Sequence, residues 1–148
     1  MPTAPSILIV DDEFGLAEML REMLREYGYD VSLAINGRLA LDILKERPVD
    51  LVITDMMMPV MDGGELASEM RTSETHRGIP IVMMTSLPAA IPRQDPRFDA
   101  VLRKPFTPEH LLTTVRRCLD GSPPANDSLP ALNPRADALK VRDPDVSR

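Results

Sequence analysis

Tryptophan is absent, Cys118 is the only cysteine, and Phe14, Tyr27, Tyr29, Phe98 and Phe106 are the whole aromatic complement. A single thiol excludes an intramolecular disulfide and a thiolate metal cluster, so Cys118 reads as a small apolar filler in an amphipathic helix. With so few rings the core must be aliphatic, with methionines filling its gaps. No stretch approaches the ~20 apolar residues that a membrane span needs. Met1 to Ser6 shows no basic start, long apolar run or cleavage signal, and the expected compartment is the cytoplasm. Positive charge is also short: 17 Lys and Arg stand against 23 Asp and Glu, for a net charge of −6. The segment after Gly121 carries four of each sign, so the acidic excess lies in the body of the chain. Such a body repels phosphate backbones and anionic lipid, and neither nucleic acid nor membrane is expected as its main partner.

What is present is an alternation of two kinds of segment. Ser6-Ile7-Leu8-Ile9-Val10 is a continuous apolar run, the mark of a strand buried on both faces. Phe14 to Tyr27 places Leu16, Leu20, Leu24 and Tyr27 at helical spacing, with Gly28 as a stop. Val31-Ser32-Leu33 is a short strand. Asn36 is placed to cap a helix from Gly37 to Arg47, which Pro48 ends. Asp50 to Thr54 is a second buried strand, Gly63 to Arg71 a helix, Ile81 to Met84 a strand and Asp99 to Leu102 a weaker one. Thr107-Pro108-Glu109 combines a cap with proline at the first helical position and opens a helix to Leu119.

Strands alternating with helices predict an α/β domain, a flavodoxin-like doubly wound sheet of five parallel strands in the order 2-1-3-4-5. Two stretches break the rhythm. Ser86 to Arg97 should hold the fourth helix, yet carries Pro88, Pro92 and Pro96, so an irregular or very short helix is expected. The segment 121–148 contains five prolines and no sustained period, and is expected to be a disordered tail beside a folded domain of residues 1–120.

In such sheets ligands bind beyond the carboxyl ends of the strands, where strand order reverses. For this order the crevice lies between the first and third strands. Asp11 and Asp12 follow the first, and Asp55 follows the third. Three like charges packed together call for a divalent cation, and all-oxygen ligands suit Mg²⁺ or Mn²⁺. Three solvated acids at strand ends would be the plain alternative, but it leaves their coincidence unexplained. Thr85 ends the fourth strand with a hydroxyl able to donate to a phosphoryl oxygen. Lys104 follows the fifth and supplies a compact cation. Taken singly these two are a strand-end cap and a solvated lysine; with the acids they complete a phosphoryl site. Met56, Met57, Met58, Met61, Met83 and Met84 are assigned to core and crevice packing rather than a soft-metal site. His76 and His110 lack companions at metal-ligand spacing, and Asp62-Gly63-Gly64 is attributed to turn chemistry.

Four stretches, in order, resemble the receiver domain of two-component response regulators over about Ser6 to Leu119. They are Ile7-Leu8-Ile9-Val10-Asp11-Asp12-Glu13, Asp55-Met56-Met57-Met58-Pro59-Val60-Met61-Asp62-Gly63, Val82-Met83-Met84-Thr85-Ser86 and Lys104-Pro105-Phe106. The resemblance implies that Asp55 accepts a phosphoryl group from a histidine kinase or histidine phosphotransfer protein. It also implies that Asp11, Asp12, Asp55 and the backbone carbonyl of Met57 hold Mg²⁺, while Thr85 and Lys104 read the phosphorylated state. Two departures stand out. Val101 occupies the place of an aromatic residue that in the family moves with the threonine, and the stretch from Thr85 to Lys104 is short and proline-rich.

Three functions compete. One is a single-domain, CheY-like response regulator in a phosphorelay, whose phosphorylation switches binding to a downstream protein target. In this reading the segment from Ser86 to Arg97 moves and offers the partner surface, with the last strand and helix. A second is hydrolysis. Haloacid-dehalogenase-type phosphatases share the aspartyl nucleophile, Mg²⁺, hydroxyl and lysine, but need a second aspartate two residues on as general acid and base. Met57 stands there and transfers no proton, so the chain is not expected to be an enzyme. The third is a pseudo-receiver that binds partners independently of phosphorylation.

Overall fold

Ile7, Leu8, Ile9 and Val10 are all 0% exposed, and consecutive strand residues can be buried only when both sheet faces are covered. The computed structural model supplies that cover, and describes residues 3–86 and 95–121. Its strands are β1 (Ser6–Val10), β2 (Asp30–Ala34), β3 (Leu51–Asp55), β4 (Ile81–Thr85) and β5 (Ala100–Arg103). The helices are α1 (Phe14–Glu26), α2 (Gly37–Glu46), α3 (Gly63–Arg71) and α4 (Pro108–Asp120). All pairings are parallel and the order is β2-β1-β3-β4-β5, as the alternation of segments predicts.

Alternate residues of each strand feed two cores. Ile7, Ile9, Leu51, Ile53, Val82 and Met84 pack with Leu20 and Leu24 of α1 and Leu111 and Val115 of α4. Leu8, Val10, Val52 and Ile81 face Ala40 and Leu44 of α2 and Leu66 and Met70 of α3. Helix starts are fixed by side chains that accept otherwise orphaned backbone N–H groups. Asn36 accepts from Leu39 at 2.9 Å and Thr107 from His110 at 3.0 Å. Asp62 and Glu65 form a reciprocal capping box at α3. Element ends move by a residue or two from the sequence expectation. Tyr27 and Arg47 cap their helices from outside, and Asp99 stands ahead of β5, where its carboxylate has other work.

That work is a clasp at the amino ends of β4 and β5. Arg71, in the last turn of α3, donates to the carbonyls of Arg77 (2.7 Å), Ile79 (2.8 Å) and Arg97 (3.0 and 2.8 Å) and to Asp99 Oδ2 (2.8 Å). Asp99 Oδ2 also accepts the Ile81 N–H at 2.8 Å, and the Asp99 N–H donates to the Ile81 carbonyl. Arg97 forks onto Asp95 and extends Nη1 to the Gly64 carbonyl (3.0 Å) and Ser68 Oγ (3.1 Å) of α3. The described residues between β4 and β5 hold a turn and no helix. The remainder of the proline-rich stretch, 87–94, and the tail from 122 onward lie outside the described residues.

Candidate functional site

The carboxyl ends of β1, β3, β4 and β5 converge on one crevice, which decides where five expected side chains fall. Asp11 sits just beyond β1, 1% exposed, and its backbone N–H donates to the Ala34 carbonyl at 3.0 Å. Its Oδ1 accepts the Glu13 N–H at 2.8 Å, whereas Oδ2 is buried without a hydrogen-bond partner. Asp55 ends β3 with Oδ1 accepting from the Met56 N–H at 3.0 Å. Asp12 is exposed beside them. One carboxylate oxygen from each of Asp11, Asp12 and Asp55 lies within 4.8 Å of the others, the one such acidic trio among the described residues.

Lys104 follows β5, and its Nζ stands 3.5 Å from Asp55 Oδ1 and 3.6 Å from Asp11 Oδ2. These are long contacts, so a single ammonium is shared and binds neither acid closely. Thr85 ends β4, nearly buried, and its carbonyl accepts the Lys104 N–H at 2.7 Å. The structure therefore brings Asp11, Asp12, Asp55 and Lys104 together and ties Thr85 to Lys104 through the backbone. Burial, ahead of every other influence, raises the Asp55 carboxyl above its usual range; Lys104 opposes this and the Asp11 charge adds to it. The crevice thus has surplus negative charge and a buried carboxylate oxygen without a hydrogen bond. Both fit a hard divalent cation, and three oxygen donors suit Mg²⁺ better than a softer metal.

Met57, whose carbonyl is an expected ligand, lies in the loop between β3 and α3. Its side chain is 63% exposed, which corrects the expectation of core or crevice packing for this residue. Met83 and Met84 are buried, and Met58 and Met61 pack on the α2–α3 core, as expected. The loop is held at both ends by glycine. A Cβ on Gly63 would lie 2.3 Å from the Asp55 carbonyl oxygen, and the Gly63 N–H donates to the Met56 carbonyl at 2.9 Å. Gly37, opening α2, donates its N–H to the Met61 carbonyl at 3.0 Å, and a Cβ there would meet Met61 Cγ at 2.7 Å. Between these anchors Val60 takes φ 72°, a left-handed conformation that a β-branched residue rarely adopts.

Several residues prove structural. His76 bridges the Leu44 carbonyl (Nε2, 3.1 Å) and Ser73 Oγ (Nδ1, 3.3 Å), tying the loop after α3 to α2. His110 supplies its N–H to the Thr107 cap. Burial, followed by the Asp99 charge, pushes the Cys118 thiol up to about 11, so it stays protonated at neutral pH against the α1–α4 core. Asp62-Gly63-Gly64 is more than a turn, since it caps α3 and presses its first residue onto the end of β3. The spacing of Asp62 and Glu65 was the sequence signal for that cap. Arg71, Arg97 and Asp99 carried no such signal.

The family description of the response regulator receiver domain matches residues 7–116. Response regulator MprA of Mycolicibacterium vanbaalenii is 38% identical over 121 residues, which cover 80% of this chain and 52% of the relative. DNA-binding response regulator MtrA of Mycobacterium leprae is 34% identical over 143 residues, covering 95% and 58%. The chain thus spans little more than half the length of these curated relatives. Among solved structures, the chemotaxis response regulator CheY4 of Vibrio cholerae superposes with a TM-score of 0.72 at 34% identity, covering 79% of this chain and all of that one. The receiver domain of a sensor histidine kinase from Pseudomonas aeruginosa, solved with a magnesium ion coordinated in its active site cleft, gives 0.73 at 27% identity, covering 80% and 99%.

Proposed function

The chain belongs to the response regulator receiver family, and from that premise we propose that Asp55 is its phosphoacceptor in a phosphorelay. The observation that carries this is the convergence of the three carboxylates, one oxygen of each within 4.8 Å of the others, with the ammonium of Lys104 shared between Asp11 and Asp55. Asp55 alone of the three ends the central β3 strand. Its free oxygen is the nucleophile for the phosphorus of a partner's phosphohistidine; the P–N bond breaks, its electron pair stays on the ring nitrogen, and the imidazole, already protonated on its other nitrogen, leaves neutral. Asp11, Asp12 and Asp55, with the Met57 carbonyl, would hold Mg²⁺, which supplies charge neutralisation at the phosphoryl oxygens. Lys104 then pairs with the phosphoryl group, and the Thr85 hydroxyl donates to it. Met57, two residues after the acceptor, offers no acid or base to activate water, so the phosphoryl group is retained and acts as a switch for protein binding. The acidic body supports a protein partner for this portion of the chain.

Intact mass after treatment with acetyl phosphate and Mg²⁺ tests the assignment. The wild type should gain one phosphoryl mass and Asp55→Asn should gain none. Equal labelling of both would move the acceptor elsewhere, and labelling of neither would favour a module that binds partners independently of phosphate.

A further inference from the structure

The signal of a loaded acceptor has to leave the crevice through contacts, and Val101 offers no ring to follow Thr85. Val101 pairs with Met83 in the β4–β5 register, an aliphatic side chain with no polar handle. A close contact on the acceptor's own backbone comes from α3. Gly63 sits so close to the Asp55 carbonyl that no Cβ fits between them, and its N–H is bonded to the Met56 carbonyl. Close-packed elements of this kind pass on a displacement instead of absorbing it.

The next residue, Gly64, presents its carbonyl to Arg97 Nη1 at 3.0 Å. Arg97 is pre-aimed for this contact. Its Nε and Nη2 form a fork onto the two oxygens of Asp95 (3.1 and 2.8 Å), and the Asp95 Oδ1 also accepts the Arg97 backbone N–H at 3.0 Å. A guanidinium held on one edge leaves the other edge little freedom. That free edge meets Gly64 and Ser68 in the first turns of α3. The ring of Phe98 lies under the same guanidinium, 5.4 Å from Cζ to centroid, and packs on the α2–α3 core. Residues 95–99 are thus fastened to the helix that abuts the acceptor, and they run directly into β5.

We propose that Arg97 is a positioning residue that couples the acceptor end of β3, through the first turn of α3, to the surface segment 95–99. Asp55 is joined to Gly63 by packing, Gly64 to Arg97 by hydrogen bonding, and Arg97 to Asp95 by the paired fork. This inference rests on the reading of Asp55 as phosphoacceptor, and supplies the route by which its loading reaches the surface.

Amide hydrogen exchange of the full chain, with and without Mg²⁺ and beryllofluoride, tests the coupling, using protection of the Met56 amide to report loading. In the wild type, exchange should change at residues 62–66 and also at 95–99, there by about fivefold, the net worth of one hydrogen bond. Arg97→Met keeps the length of the side chain and removes its donors. It should load normally and keep the change at 62–66, but lose it at 95–99. Arg97→Lys retains a donor for Gly64 without the fork, and should keep part of the response. An undiminished response at 95–99 in Arg97→Met overturns the coupling, as does a silent 95–99 segment in fully loaded wild type. Absence of loading in the wild type would overturn both the coupling and the phosphoacceptor reading beneath it.

Discussion

Strands β4 and β5 are held at their two ends in opposite ways. At the amino ends, all three side-chain nitrogens of Arg71 are engaged at 2.7–3.0 Å, and Asp99 answers both Arg71 and the Ile81 N–H. At the carboxyl ends, one ammonium is stretched between two acids at 3.5 and 3.6 Å, and a buried Asp11 oxygen has no hydrogen-bond partner. The first end is closed: Arg71, Asp99 and the Ile81 N–H answer one another within the chain. The second is open: three carboxylates share the crevice and one ammonium is spread over two of them. Satisfied polar networks hold a structure in one state, whereas unsatisfied ones mark where a ligand belongs.

The largest effect should come from breaking the closed end. Arg71→Met removes the donors to three backbone carbonyls and leaves the Asp99 carboxylate without its cation, a loss of about 3 kcal/mol. Urea unfolding should show it as a lower midpoint with unchanged slope. A loss comparable to an ordinary surface substitution would make the clasp ornamental.

Acid–base behaviour sharpens the contrast, because the two ends have opposite signs. The Asp55 carboxyl is raised above its ordinary 3.8, chiefly by burial. The folded chain therefore holds this proton more tightly than the unfolded chain. Stability falls as pH rises from the unfolded value through the raised folded one. In metal-free buffer Asp55→Asn should escape that loss, so its advantage over wild type appears as pH climbs through this window and is absent below it. Asp95 is lowered, first by its side-chain hydrogen bond from Arg97. Its contribution is present above the ordinary carboxylate value and disappears as pH falls through the lowered one. Asp95→Asn should thus be the less stable chain near neutrality and match wild type in strong acid, a small difference because Arg97 is partly exposed. Parallel pH profiles for the two variants would abolish the distinction between the ends.

Val60 gives the smallest effect. It is 78% exposed in the loop between β3 and α3, but its φ of 72° is strained for a β-branched side chain. Val60→Gly should gain about 1 kcal/mol as the strain is released against the added freedom of the unfolded chain. Thermal unfolding would register the gain, with phosphorylation unchanged.

The open end was legible in the sequence and the closed end was not, for a physical reason. Asp11, Asp12, Asp55, Thr85 and Lys104 each follow or end an apolar strand, so periodicity places them once the strand order is inferred. Sheet order follows from the same alternation, and the caps at Asn36 and Thr107 from local chemistry. The clasp works through backbone carbonyls. Arg71 reaches Arg97, 26 residues away, and Arg97 reaches Gly64, 33 residues away. Carbonyls carry no residue identity, so no pattern of side chains announces such a contact. Met57 shows the same limit from the other side. Its apolar character suggested packing, while the loop between Gly37 and Gly63 leaves its side chain at the surface.

The way Asp11 and Asp55 are held by the backbone bears on which cation would suit the crevice. Asp11 Oδ1 already accepts the Glu13 N–H, and Asp55 Oδ1 the Met56 N–H, so a metal gripping either acid through both oxygens would compete with a backbone bond. Calcium is commonly satisfied by carboxylates gripping through both oxygens, in shells of six to eight ligands. A bidentate grip on Asp11 or Asp55 would set the ion against the backbone bonds that fix these carboxylates. A smaller ion that takes six ligands and keeps several of its own waters requires no such concession. Two main-chain N–H groups, neither of which would touch the metal, would thus favour magnesium over calcium.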